Sequence, residues 1–301
     1  MRIGVAATPD VALPTLNSLL ASSHEIALII SQPDRAAGRG QEIRSSPVST
    51  WAIDHNIALI RPSSPEELIG VIEELDCVVT IGYGVLLPEA ILKLPRYGFI
   101  NLHFSLLPAY RGAAPVQRAI ENGDLTTGVT VFALDKGMDT GPVYCSSTIS
   151  INPQWRAKEL FNELALIGPD AVERALQAIS HGEVPTPQIG PTSRAHKISK
   201  EEAKIDWDQS ADVVLRRVRA FYPAPIAWST WKGESFRVTE ARMNSSALLP
   251  SVISIVDGSV VVGCGGNSAI TLLSVIPSGK KEMPALDWAR GARLELGSHF
   301  G

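Results

Sequence analysis

The sequence predicts an α/β protein with a mostly parallel β-sheet covered by helices, followed by a smaller all-β domain. In the first half of the 301 residues, short apolar runs rich in β-branched side chains alternate with helical patterns. This alternation is typical of an open parallel sheet. After residue 205, one helical pattern precedes five short strand patterns separated by Gly, Asn and Ser. Five short strands favour a small β-barrel, such as an OB-fold.

The first part of the chain supplies seven predicted strands and five predicted helices. We expect the strands at 3–7, 26–30, 57–60, 77–82, 98–103, 127–134 and 142–150. We expect the helices at about 11–22, 46–55, 64–74, 115–122 and 156–181. Elements in this order predict a Rossmann-like sheet, in which ligands bind at the carboxyl ends of the strands.

The composition changes at 182–205, where Pro, Ser, Thr and Lys become frequent. A segment of this kind indicates a connection between domains. We therefore predict a first domain at 1–190, a linker at 191–205 and a second domain at 206–301. In the second domain we expect a helix at 209–220 and strands at 226–231, 234–242, 251–256, 258–263 and 269–276.

Composition and charge exclude several classes of protein. We see no signal peptide and no apolar run of the roughly 18 residues that a membrane span needs, so we expect a cytoplasmic protein that does not bind membranes. Three distant cysteines predict neither a disulfide framework nor a zinc site, and we expect no metal. Residues 1–190 carry 13 Lys and Arg against 20 Asp and Glu, whereas residues 206–301 carry 10 against 9. The second domain therefore tolerates an anionic partner. We expect a monomer.

The first strand is followed by a turn that lacks a glycine-rich motif. Residues 6–10 read AATPD, and neither G-x-G-x-x-G nor a phosphate-binding loop is present. A dinucleotide needs such a close backbone approach to the helix N-terminus, so NAD and FAD are not expected.

Polar residues end the predicted strand at 98–103, within the segment FINLHFSLLP. Strand alternation places Asn101, His103 and Ser105 on one side, with Leu102 and Phe104 on the packed side. A histidine at a strand end often serves only as a hydrogen-bonded structural residue. The neighbouring amide favours a functional site, because an amide donates to a developing oxyanion and an imidazole exchanges protons near neutral pH.

A second candidate segment, ALDKGMDTGPVY, spans residues 133–144 between two predicted strands. Both of its aspartates, Asp135 and Asp139, are residue types that shape turns, and that role alone would explain them. If Asp139 instead faced His103, its carboxylate would raise the pKa of the imidazole and orient the ring.

Together, NLHFSLLPAYRGAAPVQRAI and ALDKGMDTGPVY resemble the signature of the 10-formyltetrahydrofolate-dependent formyltransferases. Three further segments resemble the members that formylate methionyl-tRNA: SQPDRAAGRG at 31–40, IGYGVLLPEAIL at 81–92 and the stretch 197–228, which begins KISKEEAKIDW. The resemblance runs from residue 1 to about 276. It implies transfer of a formyl group from 10-formyltetrahydrofolate to the α-amine of initiator methionyl-tRNA, which yields N-formylmethionyl-tRNA for translation initiation.

The resemblance also implies roles for individual residues. It implies a catalytic trio of Asn101, His103 and Asp139. It implies folate contacts by Ser105, Leu106, Leu107, Pro108, Gly84, Leu86 and Leu87. It implies that Arg39 reads the acceptor stem of the tRNA, with Arg35 and Lys204 as further tRNA contacts.

The mechanism that follows is a hypothesis. The amide of Asn101 and a protonated His103 would stabilise the oxyanion, and Asp139 would favour the charged imidazole. The basic helix carrying Arg216, Arg217 and Arg219 would contact phosphates or form a solvated face.

Two alternatives stay open: a formyltransferase for sugar nucleotides, and a non-catalytic RNA-binding protein with a degenerate enzyme domain. The segment GARLELGSHFG, residues 291–301, resembles the family less, so we make no prediction for a strand there.

Overall fold

The computed structural model of the protein describes residues 1–37 and 42–301, with the side chains of 35–37 and 42–43 left aside. Contacts divide the chain into two compact units. The first comprises Met1–Pro115, Thr126–Ser150 and Phe161–Ala195. The second comprises Val116–Leu125, Ile151–Leu160 and His196–Gly301. The domain boundaries predicted at 190 and 205 stay a prediction.

Among the described residues, eleven strands belong to the first unit. They are β1 Arg2–Ala7, β2 Glu25–Ile30, β3 Arg35–Ala37, β4 Glu42–Arg44, β5 Leu59–Ile60, β6 Cys77–Ile81, β7 Phe99–His103, β8 Arg111–Gly112, β9 Thr126–Ala133, β10 Val143–Ser150 and β11 Arg194–Ala195. Seven of them form one sheet in the order β10-β9-β7-β6-β1-β2-β5. The neighbouring pairs β5–β2, β2–β1, β1–β6 and β6–β7 are parallel. At the other edge of the sheet, β9 pairs antiparallel with β7, and β10 pairs antiparallel with β9. The mostly parallel sheet predicted from the alternating pattern is confirmed.

The helices are α1 Leu13–Leu20, α2 Pro47–Asp54, α3 Glu89–Leu92, α4 Pro115–Asn122, α5 Ala157–Ser180, α6 Ala211–Ala220 and α7 Ala285–Ala292. The predicted helix at 64–74 is wrong, because only a short 3-10 turn forms at Pro65–Leu68. Gly70 has a φ of +81°, which a right-handed helix does not accept. Across the described ranges, no helix combines the length and the apolar character that crossing a bilayer requires.

The strand that carries Asn101 and His103 also contributes apolar side chains to the core of the first unit. Phe99, Ile100 and Leu102 of β7 are almost completely buried. A Cβ on Gly168 of α5 would lie only 2.7 Å from Leu102 Cδ2. Glycine at this position therefore lets α5 pack closely against the apolar face of β7, which leaves the alternate residues of the strand, Asn101 and His103, on the other side.

The second unit contains an antiparallel sheet in the order β12-β13-β16-β15-β14. Its strands are β12 Trp228–Trp231, β13 Glu234–Asn244, β14 Ile253–Val256, β15 Ser259–Cys264, β16 Ser268–Pro277 and β17 Met283–Pro284, which pairs with β16. All five predicted strands are present. The fold class, a Rossmann-like first part followed by a small β domain, is confirmed.

The last residues of the sequence join the two edges of this sheet. The amide of Gly301 donates to the carbonyl of Thr230 on the β12 edge at 2.9 Å, and the amide of Ile253 on the β14 edge donates to the carbonyl of Ser298 at 2.7 Å. Between them, the ring of Phe300 stacks on Trp207 with centroids 5.4 Å apart. The segment for which the sequence offered no prediction therefore closes the gap between the edge strands.

Candidate active site

Asn101 lies on β7 beside Thr80 of the neighbouring strand β6, with which it is in register. The Thr80 hydroxyl lies 2.7 Å from Asn101 Oδ1 and 3.1 Å from the Ile100 carbonyl oxygen. A hydroxyl donates one proton, and the shorter distance assigns it to Oδ1. The amide nitrogen then points away from Thr80. Among the hydrogen bonds of the described residues, none uses Asn101 Nδ2, so this donor is available to a ligand.

His103 ends the same strand and is only 6% exposed. Its Nε2 lies 3.0 Å from the carbonyl oxygen of Tyr110. A carbonyl oxygen only accepts hydrogen bonds, so Nε2 carries the proton in the neutral ring. The lone pair of the neutral imidazole is therefore on Nδ1, which lies 3.7 Å from Asp139 Oδ2. The structure thus brings together the two residues whose contact the sequence left open.

The pKa of His103 is lowered from its ordinary value, mainly because the ring is buried away from water. The charge of Asp139 and the hydrogen bond to the Tyr110 carbonyl both raise the pKa, but burial outweighs them. The protonated His103 of the mechanistic hypothesis stays a prediction, and a lowered pKa means that the ring would gain its charge by taking up a proton during the reaction. The lowered pKa favours the neutral ring, in which Nδ1 can accept a proton.

Asp139 is held in an unusual backbone conformation in the loop between β9 and β10. Its φ is +54°, in the left-handed region that Asp and Asn tolerate better than most side chains. Its Oδ2 accepts a hydrogen bond of 2.7 Å from the amide of Gly112. Asp135 takes the other role considered for this loop, because its Oδ1 accepts from the Gly137 amide and from the Thr140 hydroxyl. The two aspartates therefore divide the tasks: Asp135 shapes the turn and Asp139 faces His103.

The four residues after Phe104, predicted to contact folate, form a tight loop. Ser105 is completely buried, and its hydroxyl donates to the Ala109 carbonyl at 2.6 Å. The hydroxyl of Thr130 on β9 donates to the Ser105 carbonyl at 2.7 Å and accepts from the Leu107 amide at 3.1 Å. Ser105 thus shapes the loop from inside instead of facing a pocket. Leu106 and Leu107 are partly buried and Pro108 is buried.

The segment predicted to line the folate pocket follows β6. Gly84 has a φ of +73°, and Leu86 is 69% exposed. Leu87 is buried in the apolar core of the first unit instead, so its side chain is not on the surface. Lys93, and less strongly Lys136 of the β9–β10 loop, lower the pKa of Glu89. The segment after β6 and the loop that carries Asp139 therefore lie within electrostatic range of each other.

A third stretch of chain, residues 186–195, adjoins the same loops, and we call it the strap. The amide of Tyr110 donates to the Ser193 hydroxyl at 2.9 Å, and β11 at the end of the strap pairs in parallel with β8. The side chain of Gln188 contacts the loop of Asp139. The composition of this stretch predicts only a connection between domains. No periodicity or motif marks Gln188 or Ser193, because their partners are distant in sequence and only the folded chain brings them near.

Of the three residues predicted to contact tRNA, the structure describes the side chain of Lys204 alone. The backbone of Arg35 belongs to β3, its side chain is not described, and Arg39 lies outside the described residues. Lys204 is exposed in the second unit, with its ammonium 5.9 Å from the Trp228 ring centre. The basic helix is α6, and its arginines are not a solvated face: each donates to a backbone carbonyl of the second unit. These are Arg216, Arg217 and Arg219.

The part of the chain that the structure describes contains no candidate metal site. Within that part, no three His, Cys, Asp or Glu side chains are grouped so that they could hold an ion.

Comparisons with known proteins match the chain over nearly its full length. The sequence profile of the formyl transferase family matches residues 1–176, and the profile of the formyl transferase C-terminal domain matches residues 197–293. The methionyl-tRNA formyltransferase of Thermobifida fusca (strain YX) is 40% identical over 309 residues, which cover 100% of this chain and 99% of that protein.

Two solved structures share the fold at low identity. An N-formyltransferase from Helicobacter canadensis, in complex with folinic acid and dTDP-3-aminofucose, has a TM-score of 0.67 at 17% identity and covers 90% of this chain and 98% of its own. A methionyl-tRNA formyltransferase from Clostridium thermocellum has a TM-score of 0.60 at 16% identity and covers 87% and 100%. Because the two proteins bear different names, the fold alone does not select an acceptor.

Proposed function

The chain belongs to the formyl transferase family, and from that membership we propose that it transfers a formyl group from 10-formyltetrahydrofolate to the α-amine of methionyl-tRNA. The family predicted from the motifs is confirmed, and the chain is an enzyme of that family. One observation supports this chemistry. The free amide donor of Asn101 and Nδ1 of His103 lie on one face of β7, and the Asp139 carboxylate lies beside the imidazole.

The surroundings of this face fit a folate. An exposed apolar side chain, Leu86, follows β6, and a second one, Met138, is 60% exposed in the loop of Asp139. Apolar side chains that stay exposed on both neighbouring loops suit an aromatic ring system with polar edges. When bound, the folate supplies the formyl group on its N10 nitrogen. Gly84 and the Ser105–Pro108 loop would position it through their backbone.

The first task of the site is to stabilise negative charge. As the amine adds to the formyl carbon, the carbonyl electrons move onto the formyl oxygen. Asn101 Nδ2 would donate a hydrogen bond to that oxygen, and the Thr80 hydroxyl would keep the amide turned in the donating direction. A donor that is already oriented costs no reorganisation when the charge develops.

The second task is to move one proton. The attacking amine must lose a proton when its lone pair forms the new C–N bond. Neutral His103 would accept this proton on Nδ1, and the imidazolium so formed is stabilised by Asp139 at 3.7 Å. His103 then returns the proton to the folate nitrogen as its bond to the formyl carbon breaks. The step is balanced, since one C–N bond forms, one breaks, and one proton changes nitrogen.

The acceptor is the part of the proposal that sequence similarity supports and the fold does not. Relatives that match 98% or more of this chain at 40–43% identity are named methionyl-tRNA formyltransferases. We therefore propose that the initiator methionyl-tRNA is the partner, contacted by Arg39, Arg35 and Lys204. We predict that the protein works in the cytoplasm as a monomer.

A transfer assay tests the proposal. The purified full chain is incubated with 10-formyltetrahydrofolate and either methionyl initiator tRNA or a dTDP-aminosugar, and the formylated product is identified by mass spectrometry. We expect transfer to the tRNA alone. Transfer only to the sugar would establish the sugar-nucleotide alternative, and no transfer by a folded protein would favour the non-catalytic alternative.

A further inference from the structure

We propose that Gln188 is a positioning residue of the active site, which holds Asp139 against His103. Its side-chain amide ties the loop that carries Asp139 to the loop whose Tyr110 carbonyl accepts a hydrogen bond from His103. The inference rests on the proposed function, because it gives Gln188 an effect on turnover only through Asp139. Gln188 lies in the strap, a stretch that the sequence presents as a plain connection between domains.

The amide of Gln188 makes four hydrogen bonds. Its Nε2 donates to the carbonyl of Asp139 at 2.9 Å and to the carbonyl of Gly141 at 2.8 Å. Its Oε1 accepts from Arg111 Nε at 3.1 Å and from Arg111 Nη2 at 2.7 Å. Two N–H groups and two lone pairs are the full capacity of a primary amide. Because a guanidinium only donates, Arg111 also determines which way the amide is turned.

The two acceptor carbonyls belong to a loop that needs support. Asp139 is a non-glycine residue at a φ of +54°, and such a conformation persists where the surrounding contacts hold it. Next to it, Gly141 passes so close to β9 that a Cβ would collide with the Ala133 carbonyl. The bonds from Gln188 therefore hold the loop on both sides of Thr140, at the point where the Asp139 side chain turns towards His103.

The other partner, Arg111, belongs to the loop that orients the imidazole. It directly follows Tyr110, whose carbonyl accepts the hydrogen bond from His103 Nε2, and it precedes Gly112, whose amide donates to Asp139 Oδ2. Gln188 thus connects the Tyr110–Gly112 segment with the Asp139–Gly141 segment, alongside the hydrogen bond from the Gly112 amide to Asp139. A change in Gln188 should alter the distance between His103 Nδ1 and Asp139 Oδ2 without touching either substrate.

The first variant is Gln188→Met, which keeps the length of the side chain and removes all four hydrogen bonds. We expect kcat to fall about 10- to 100-fold, because misplacing a catalytic group by about 1 Å costs on that order. The KM values for both substrates should stay within about threefold, since no binding contact is removed. Val184→Ala is the matched control, because Val184 precedes the strap and is 85% exposed.

A double-variant cycle separates positioning from a general loss of structure. In an Asp139→Ala background, Gln188→Met should cost no more than about twofold in kcat, because the carboxylate that Gln188 positions is absent. A full 10- to 100-fold loss in that background would overturn the proposal. If Gln188→Met does not fold, Gln188→Glu takes its place: it still pairs with Arg111 but cannot donate to the two carbonyls, and the same pattern is expected.

A second readout does not depend on activity. Hydrogen exchange of the Gly112 amide, measured by NMR, should become at least about tenfold faster in Gln188→Met and stay unchanged in Val184→Ala. Unchanged exchange at Gly112 together with wild-type kcat would refute the role of Gln188, while formyl transfer by the wild-type protein still stood. If the wild-type protein transferred no formyl group, the proposed function would fail, and the exchange experiment would still report whether Gln188 holds the loop.

Discussion

Replacing Asp139 by Asn tests the electrostatic part of the mechanism with little change in shape. Asn tolerates the left-handed conformation that Asp139 adopts, and its Oδ1 can still accept from the Gly112 amide. What is lost is the negative charge 3.7 Å from His103 Nδ1. At an effective dielectric constant of about 20, two unit charges at this distance attract each other by about 4 kcal/mol.

This energy acts on the imidazolium that forms when His103 takes the proton from the amine. Each 1.36 kcal/mol corresponds to about tenfold in rate, so losing the whole interaction would cost about 10³. The Asn dipole and water replace part of it, and we expect kcat to fall about 10²- to 10³-fold with little change in KM. In the free protein, the pKa of His103 should fall further, because Asp139 raises it.

The assay compares steady-state kinetics of Asp139→Asn with those of Asp135→Asn. Asp135 is in the same loop, but it is exposed and only shapes the turn, so its substitution should leave kcat within about threefold. Thermal unfolding confirms that both variants fold. A kcat of Asp139→Asn close to the wild-type value, or equal losses in the two variants, would refute the reasoning.

Three further predictions concern the remaining groups. Asn101→Ala should lower kcat about 10²- to 10³-fold by removing the oxyanion donor, and steady-state kinetics with near-normal kcat would exclude that role. Because burial lowers the pKa of His103, the unfolded chain takes up its proton first as the pH falls below about 6.5, and stability is lost there. Urea unfolding at pH 7.5 and 5.5 should therefore show a larger loss for the wild type than for His103→Gln, and equal losses would contradict the burial argument. Lys204→Ala should weaken tRNA binding and reduce the slope of log binding constant against log salt concentration by about 1. An unchanged slope would show that Lys204 makes no phosphate contact.

Much of the first unit could be predicted because its sequence repeats a simple pattern. Short buried runs such as the one that ends at Ile81 favour a parallel strand, and polar residues after such a run mark the ligand-binding edge of the sheet. Asn101 and His103 are identified by this pattern. The pattern is misleading at 64–74, where the apolar spacing is typical of a helix but Gly70 has a positive φ.

The support of the site could not be predicted in the same way. Gln188 bonds to backbone carbonyls of a loop about 50 residues earlier, and no local pattern encodes such a contact. The charge state of His103 depends on how completely the fold buries the ring, since burial and Asp139 shift the pKa in opposite directions. The role of the last residues depends on two strand edges that face a gap, and that gap exists only in the folded second unit.

The most direct test of the account is the pH dependence of single-turnover formyl transfer to methionyl-tRNA with both substrates saturating. If His103 works as a neutral base, the rate should fall towards acid with a midpoint below the ordinary histidine value of about 6.5. The midpoint should move lower still in Asp139→Asn. A rate that rises as the pH falls through 6.5, or a midpoint above it, would mean that the charged imidazole is the working form and would contradict the account.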